Sequence, residues 1–407
     1  MIPVEDARAR VLAACRPLPP RAVPLGDALG RVLAEPVVSG VDVPPFPNTA
    51  MDGFAVRAAD TAGAPVRLEV VGTLAAGADP GSLTVGPGQA VRIMTGAPLP
   101  AGADAIVMVE RTTTEGDVVT VEVAAATGDH IRSAGDDLRA GQTVFETGAV
   151  LTPGHLGVLA SLGRSEVVVF PAARVGVLST GDELVDGSGP LRPGQIRDSN
   201  RPTLLAMVRE AGAEAVDLGT ARDHEGAIRS KLEEGLATCD AVVTSGGVSV
   251  GDFDYVKGVL DRIGHMDWWQ VAIRPAKPFA FGVAGPGATP VFGLPGNPVS
   301  SMVSFEMFVR PGLRRMMGHP DGRLLRPTVE AVADEALPRR RDGKLHLDRV
   351  IATQGGDGRV HVRPSGGQAS HLLRAMALAN ALALIPDGDG VAGGGAVTVM
   401  LLGTIEG

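Results

Sequence analysis

Ala241-Val-Val-Thr-Ser-Gly-Gly-Val-Ser-Val-Gly-Asp-Phe-Asp-Tyr255 is the stretch on which the reading of this chain turns. The apolar, β-branched run 241–244 predicts a short buried strand. Glycines and hydroxyls follow it directly. Glycine permits positive φ and close approach of the backbone to a ligand, and successive N–H groups can converge on an oxyanion. Ser245, Gly246, Gly247, Ser249 and Gly251 therefore suit a phosphate cradle built from the backbone. The string is not a P-loop, because the Gly-Lys-Ser/Thr end is missing, and it is not Gly-x-Gly-x-x-Gly. Asp252 and Asp254 suit a metal ion beside a phosphate. A glycine-rich turn with an acidic cap is the alternative reading.

Outward from this string, strands and helices alternate over 174–318. Strands are predicted at 174–179, 215–218, 241–244, 266–271 and 290–292, and helices at 202–212, 224–237, 255–263 and 298–316. That alternation argues for a mostly parallel sheet covered on both faces. Ligands of such sheets bind at the carboxyl ends of the strands. Three more unusual strings follow strands. In Ser179-Thr-Gly-Asp-Glu-Leu184, Asp182 and Glu183 either hold a cation or favour a helix dipole as N-terminal acids. In Gly293-Leu-Pro-Gly-Asn-Pro-Val-Ser-Ser301, Asn297 suits a helix cap and Pro298 a first turn. Its free amides would make an anion site, or it is simply a well-formed helix start. Arg274-Pro-Ala-Lys277 places two cations beside these loops, to neutralise an anion or to lie solvated. Together the loops point to a phosphorylated ligand with a metal ion.

The flanks read differently. Helices are predicted at 4–15, 25–35 and 153–162, and a strand at 167–170. Between 46 and 137, short β runs at 66–71, 89–94, 105–109 and 118–123 alternate with Gly/Pro turns. Two strings there are too particular for ordinary hairpins: Pro44-Pro-Phe-Pro-Asn-Thr-Ala-Met-Asp-Gly-Phe-Ala55 and Arg92-Ile-Met-Thr-Gly-Ala-Pro-Leu-Pro-Ala-Gly-Ala-Asp104. Their polar members are Asp52 and Thr95, with turn packing as the alternative reading. From 319 the chain is β-rich again. The expected domains are 1–45 with 138–173 as an elongated N-terminal domain, 46–137 as an inserted β domain, 174–318 as the α/β domain, and 319–407 as a C-terminal β domain.

Composition narrows the function. The 407 residues carry 37 Lys and Arg against 46 Asp and Glu, a net charge of −9, which disfavours nonspecific nucleic-acid binding. Ten Phe, two Trp and one Tyr leave little to stack on single-stranded bases. Cys15 and Cys239 build neither a disulfide framework nor a structural zinc site, so a reducing, cytoplasmic setting is expected. No secretory signal is expected at the N-terminus, and no apolar run is long enough to span a membrane. The eight histidines show no metal-ligand spacing.

Taken in order, several strings resemble one family. They are Asn48-Thr-Ala-Met-Asp-Gly-Phe54, Met94-Thr-Gly-Ala97, Gly135-Asp-Asp137, Ser179-Thr-Gly-Asp-Glu-Leu184 and Gly194-Gln-Ile-Arg-Asp-Ser-Asn200. Thr244-Ser-Gly-Gly-Val-Ser-Val-Gly-Asp252, Lys277-Pro-Phe-Ala-Phe-Gly282 and Gly293-Leu-Pro-Gly-Asn-Pro-Val-Ser300 complete the set. The chain resembles the molybdopterin molybdenumtransferases, the MoeA family, which includes the E domain of gephyrin.

The resemblance implies a multidomain, elongated chain of α/β plus β class. It would have a central molybdopterin-binding α/β domain, an inserted β domain and a C-terminal β-barrel-like domain. It implies a homodimer with the active site across the protomer interface. The reaction implied is insertion of molybdenum from molybdate into adenylylated molybdopterin, with release of AMP and assistance from Mg²⁺. Molybdopterin adenylyltransferase and molybdoenzyme maturation proteins are the implied partners. Nucleotidyl transfer of the adenylyltransferase type and a non-catalytic carrier or scaffold are the rival readings. Position by position, catalytic roles are implied for Asp52, Thr95, Asp137, Glu183, Asp252 and Asp254, the last three as metal ligands. Arg274, Lys277, Arg349 and Ser370, the last within Gly367-Gln-Ala-Ser-His371, match a molybdate site. Pro295, Gly296, Asn297, Pro298 and Ser300 match the cofactor-binding helix start. Arg274 stands where many members have Lys, which keeps the charge and changes its geometry.

Overall fold

The computed structural model describes residues 1–247 and 255–405. The chain divides into two compact units. One comprises Met1–Val23, Gly30–Ala34 and Val168–Gly407, the other Pro24–Leu29 and Glu35–Val167.

The first unit contains a six-stranded sheet. Its strand order is Glu214–Ala221, Arg174–Thr180, Ala241–Ser245, Thr289–Leu294, Pro278–Ala284, Gly264–Gln270. Five of the strands run in one direction, and only Pro278–Ala284 runs against them, antiparallel to both its neighbours. Apolar residues occupy both faces of the central strands, so each face takes a helical layer. Val175, Val177, Val243 and Phe292 face one layer, with Leu204 and Val208 of helix Asn200–Glu210 and Val4 and Val11 of helix Val4–Ala14. Leu178, Val242 and Val291 face the other, with Ile228 and Leu232 of helix Glu225–Thr238 and Val256 and Val259 of helix Tyr255–Ile263. The parallel register sets Ser245 opposite both Ser179 and Leu294. Three loops therefore leave the sheet from one level.

The same unit carries a closed five-stranded barrel. Leu345–Gln354, Val360–Pro364, Thr328–Ala333, Ala396–Leu401 and Ala381–Ile385 pair in that order, and the last returns to the first. Ala331, Ala333, Ala352, Ala381 and Ala383 lie in its core, with Val350, Val362, Val397 and Val399. Small side chains suit so narrow an interior. Ile273 and Arg274 pair in parallel with Leu345 and His346, which brings the loop after Gly264–Gln270 to the barrel.

The second unit is built on a six-stranded sheet ordered Ala105–Met108, Gly53–Val56, Gln89–Ile93, Val66–Leu74, Val118–Val121, Thr112–Glu115. Gly53 has a steric reason. A Cβ there would lie 2.1 Å from the carbonyl oxygen of Val107 on the neighbouring strand. Helix Pro153–Ser161 starts with a capping box formed by Thr152 and His155.

The α/β class, the mostly parallel sheet and the barrel-like C-terminal part agree with the sequence reading. Several elements differ. Residues 25–35 are not a helix: one 3₁₀ turn at Leu25–Asp27 precedes Gly30 at φ +75°, and Val32 and Leu33 pair with Phe170 and Val169. Cross-strand burial of these β-formers wins over a helical pattern already weakened by two glycines. The 298–316 helix changes its hydrogen-bonding register at Phe305–Val309, a π turn before Arg310–Met316. Pro311 has no N–H to give to the carbonyl four residues back. Strand Pro278–Ala284 was not expected; it pairs antiparallel with Thr289–Leu294 on one side and the edge strand Gly264–Gln270 on the other. Ala58–Thr61 adds one helical turn to the inserted β segment. Among the described residues no helix is long and apolar enough to cross a membrane.

Gly53→Ala should destabilise the second unit by about 1–3 kcal/mol, because backbone must move to admit the methyl group. Gly157→Ala lies in helix Pro153–Ser161 with nothing within 4 Å of the added carbon. It should stabilise by up to about 1 kcal/mol. Thermal melts of both variants check the pair, and an unchanged melt for Gly53→Ala contradicts the packing argument.

Candidate active site

A crevice of about 550 Å³ opens at the carboxyl ends of the parallel strands. Thr180 and Ser245 from the strand ends line it, with Glu183, Asn200, Asp223 and residues 295–298. Gly246 sits at φ +95°, and a Cβ there would come within 2.8 Å of the Thr180 carbonyl oxygen. Only glycine allows that passage. The Asn200 amide donates to both Ser245 Oγ and the Gly296 carbonyl, each at 2.7 Å, and so ties two of the loops together. Arg201 fixes the segment before it by donating to Asp186, Asp198 and Asp217.

Of the predicted cradle, Ser245, Gly246 and Gly247 line the crevice. Ser249, Gly251, Asp252 and Asp254 lie outside the described residues. One correction concerns Gly246. Its N–H donates to the Leu294 carbonyl at 3.1 Å, continuing the sheet ladder, and is not free for a ligand. A second concerns the helix start. Pro295, Gly296, Asn297 and Pro298 line the crevice, but the Asn297 side chain makes no capping bond. The Val299 N–H donates to the Ser370 carbonyl at 3.1 Å and the Ser301 N–H to the Asn297 carbonyl at 2.9 Å. The loop thus offers the Asn297 side chain and few free amides. Ser300 is buried and lines neither this crevice nor the cavity described below.

Asp182 and Glu183 do not begin a helix; the chain enters a short strand, Leu184–Val185, paired with Ile196–Arg197. The two acids separate in role. Asp182 accepts the Asp223 N–H at 3.2 Å, whereas Glu183 faces the crevice. Burial, with the charges of Asp182 and Glu183 added, raises the Asp223 carboxyl above its ordinary range. Among the described residues no three His, Cys, Asp or Glu side chains converge as a metal site.

Sequence reasoning missed Asn200 and Asp223 as site residues. Both had a signal. Asn200 ends the string Gly194-Gln-Ile-Arg-Asp-Ser-Asn200, and Asp223 follows the carboxyl end of strand Glu214–Ala221.

A second cavity of about 650 Å³ lies beside the barrel, lined by Arg274, Pro275, Arg340, Asp348, Arg349 and Gln368 among others. Arg349 is fully buried. Its guanidinium donates to the Leu347 carbonyl at 3.2 Å and the Ala369 carbonyl at 3.5 Å, while Nε has no partner. Gln368 clamps its backbone, accepting the Arg349 N–H at 2.8 Å and donating to the Arg349 carbonyl at 3.0 Å. Burial lowers the pKa of Arg349, and Arg274 adds to the effect. Two arginines lining one cavity, one of them with an unpartnered donor, suit an anion. Arg274 and Lys277 are joined through Ala276, a buried residue at φ +83°. Non-glycine residues held there are strained and concentrate at functional sites. Lys277 and Ser370 do not line this cavity. The loop nevertheless reaches both spaces, since Arg274 and Pro275 line the cavity and Pro278 lines the crevice.

In the second unit, Asp52 and Thr95 meet. Asp52 accepts the Thr95 N–H at 2.6 Å and the Thr95 hydroxyl at 2.7 Å. The backbone bond first, then the hydroxyl, holds the Asp52 carboxyl below its usual range. Asp137 is exposed in a turn where its N–H donates to the Val43 carbonyl at 3.0 Å. No hydrogen bond links its side chain to the Asp52–Thr95 pair.

Comparison with known proteins gives the same order of parts. The MoeA N-terminal region (domain I and II) matches residues 2–163, a probable molybdopterin binding domain matches 176–315, and the MoeA C-terminal region (domain IV) matches 331–402. The chain is 44% identical over 391 residues to molybdopterin molybdenumtransferase 2 of Mycobacterium tuberculosis, covering 93% of each chain. It is 38% identical over 403 residues to molybdopterin molybdenumtransferase of Haemophilus influenzae, covering 98% of each. The solved molybdopterin biosynthesis MoeA protein of Pyrococcus horikoshii superposes with a TM-score of 0.83 at 31% identity, covering 99% of this chain and 100% of that one. Collinear matches from end to end, on a fold that presents the same loops to one crevice, mean that this chain belongs to the molybdopterin molybdenumtransferase family, the MoeA family.

Proposed function

We propose that the chain inserts molybdenum from molybdate into adenylylated molybdopterin, releasing AMP and giving the molybdenum cofactor. The observation that carries the reading is the loop from Arg274 to Pro278. It lines a cationic cavity at one end and the strand-end crevice at the other. A tetrahedral dianion and a pterin pyrophosphate can then be held side by side, as the transfer requires.

In this reading the crevice takes the pterin and its phosphates. Asn200 keeps the loops at 245–247 and 295–298 at fixed spacing, and Asn297 presents its amide to the ligand. Arg274, Lys277, Arg349 and Ser370 serve the oxyanion. Glu183 and Asp223 are hard oxygen donors in the crevice, which fits Mg²⁺ and its preference for one or two carboxylates plus phosphate oxygens. Asp252 and Asp254 join them in the proposal. When bound, Mg²⁺ would supply charge neutralisation at the pyrophosphate. Asp52, Thr95 and Asp137 act on the site of a second copy in a homodimer. A molybdopterin adenylyltransferase would supply the substrate, and molybdoenzyme maturation proteins would receive the product.

AMP release from adenylylated molybdopterin, with and without molybdate, tests the reading. Molybdate-dependent release is expected. Tight binding of the nucleotide without turnover would shift the chain to a carrier role. Glu183→Gln should lower the rate about a hundredfold with the fold intact, the loss typical of removing one electrostatic stabiliser. Lys277→Ala should raise the molybdate needed for half-maximal release about tenfold and leave thermal stability unchanged, since the side chain is exposed. Normal turnover by both variants would contradict the assignment.

Thr95→Val tests the Asp52 pair separately. It removes the hydroxyl bond and keeps the backbone one, so the Asp52 carboxyl should titrate at higher pH, as read by carboxyl carbon NMR. The folded pKa is depressed, so the pair's contribution is present above the unfolded pKa and is lost as pH falls through the folded value. An unchanged titration would mean that the hydroxyl does not bind the carboxylate in solution.

A further inference from the structure

The cavity that holds Arg274 and Arg349 also holds a carboxylate. Asp348 lines it, is 8% exposed, and has no hydrogen bond or ion pair with any described residue. The charged groups facing it come from three elements. His346 and Arg349 share its strand, Arg274 comes from the paired Ile273–Arg274 segment, and Arg339 follows Leu337–Pro338; Arg340, next in the chain, lines the same cavity. Two of these are engaged elsewhere. Arg339 donates to Asp342, Asp387 and the Lys344 and Ile385 carbonyls, and His346 faces Asp342 at 3.2 Å. Arg349 donates to two carbonyls and Arg274 makes no ion pair. Burial raises the Asp348 carboxyl above its ordinary range, against the pull of these cations.

An ionised carboxylate buried without a partner is costly, and a second anion in the same cavity makes it more so. Molybdate near neutral pH is a fully deprotonated dianion, so its oxygens only accept hydrogen bonds. The complementary group at Asp348 is therefore an O–H donor, which a carboxyl becomes on protonation.

We propose that Asp348 is a specificity-determining residue of the oxyanion cavity: it meets the tetrahedral dianion as a neutral acid and takes up one proton from solvent as the dianion enters. The proposal rests on the reading of that cavity as the molybdate site. The proton goes to the Asp348 carboxylate and remains there, hydrogen-bonded to one oxyanion oxygen; no other bond changes. Above the pKa of Asp348, affinity for molybdate then falls about tenfold per pH unit. An oxyanion that keeps its own proton near neutrality, such as hydrogen phosphate, brings its own donor to the ionised carboxylate. Its binding needs no uptake, and its affinity relative to molybdate rises with pH.

Isothermal titration calorimetry of the full chain with sodium molybdate, in buffers of different ionisation enthalpy, counts the protons. For the unsubstituted protein we expect uptake approaching one proton as pH rises and the matching loss of affinity. Asp348→Asn donates an N–H without titrating. It should bind without that uptake, and at least tenfold more tightly at the alkaline end. Molybdate binding by the unsubstituted protein with no linked proton overturns the proposal without any variant. So does equal uptake by Asp348→Asn. Arg274→Ala separates the two levels. If it weakens molybdate binding while Asp348→Asn behaves like the parent, only the role of Asp348 fails. If it binds as the parent does, or if the parent shows no saturable binding, the reading of the cavity fails and takes this inference with it.

Discussion

The Gly246 N–H donates to the Leu294 carbonyl, and the geometry of the crevice depends on that bond. It carries the parallel ladder one residue beyond strand Ala241–Ser245 and brings the turn against the end of strand Thr289–Leu294. The turn can pass there because Gly246 has no side chain to meet Thr180. Asn200 then spans from Ser245 to Gly296 and fixes the gap between the two loops. A space shaped by backbone spacing, with a few polar groups turned into it, is how open parallel sheets hold phosphorylated ligands.

Charge divides the first unit's two spaces. The crevice carries Glu183 and Asp223, and the Glu183 charge adds to the burial that raises the Asp223 carboxyl. The cavity by the barrel carries Arg274 and Arg349, and burial first, then the Arg274 charge, works against the protonated form of Arg349. Each space carries one opposite charge, Arg197 in the crevice and Asp348 in the cavity, so acids predominate in the first and arginines in the second. The strained Ala276 sits in the loop that runs between them. Gln368 supports the arrangement by holding Arg349 at both its N–H and its carbonyl.

The fold was legible in the sequence wherever burial is two-sided. The runs at 174–179, 241–244 and 290–292 read as parallel strands because every residue there except Arg174 is apolar or small. Pro278–Ala284 was missed because its hairpin with Thr289–Leu294 begins at a proline and follows an irregular loop. Residues 25–35 misled because a helical spacing of Leu and Val also fits a 3₁₀ turn and one short paired strand once glycine breaks the helix. At the site, the loop strings after strand ends contain Glu183 and Arg274, which line the crevice and the cavity, whereas Arg349, inside strand Leu345–Gln354, stood out only through the family resemblance. Which amides stay free was not legible. The pairing of Gly246 with Leu294 and of Val299 with Ser370 joins residues far apart in the chain. Asp223 had a signal in its place after a strand end, but its closeness to Asp182 and Glu183, which the sheet brings about, was not legible.

The central claim is that oxyanion and phosphates occupy separate, adjoining spaces. Anomalous diffraction at the molybdenum edge, from crystals soaked in molybdate, tests it most directly. The account predicts a peak in the barrel-side cavity, within hydrogen-bonding reach of the Arg274 and Arg349 guanidinium groups. A peak among Glu183, Asn200 and Asn297, with none beside the arginines, would contradict it.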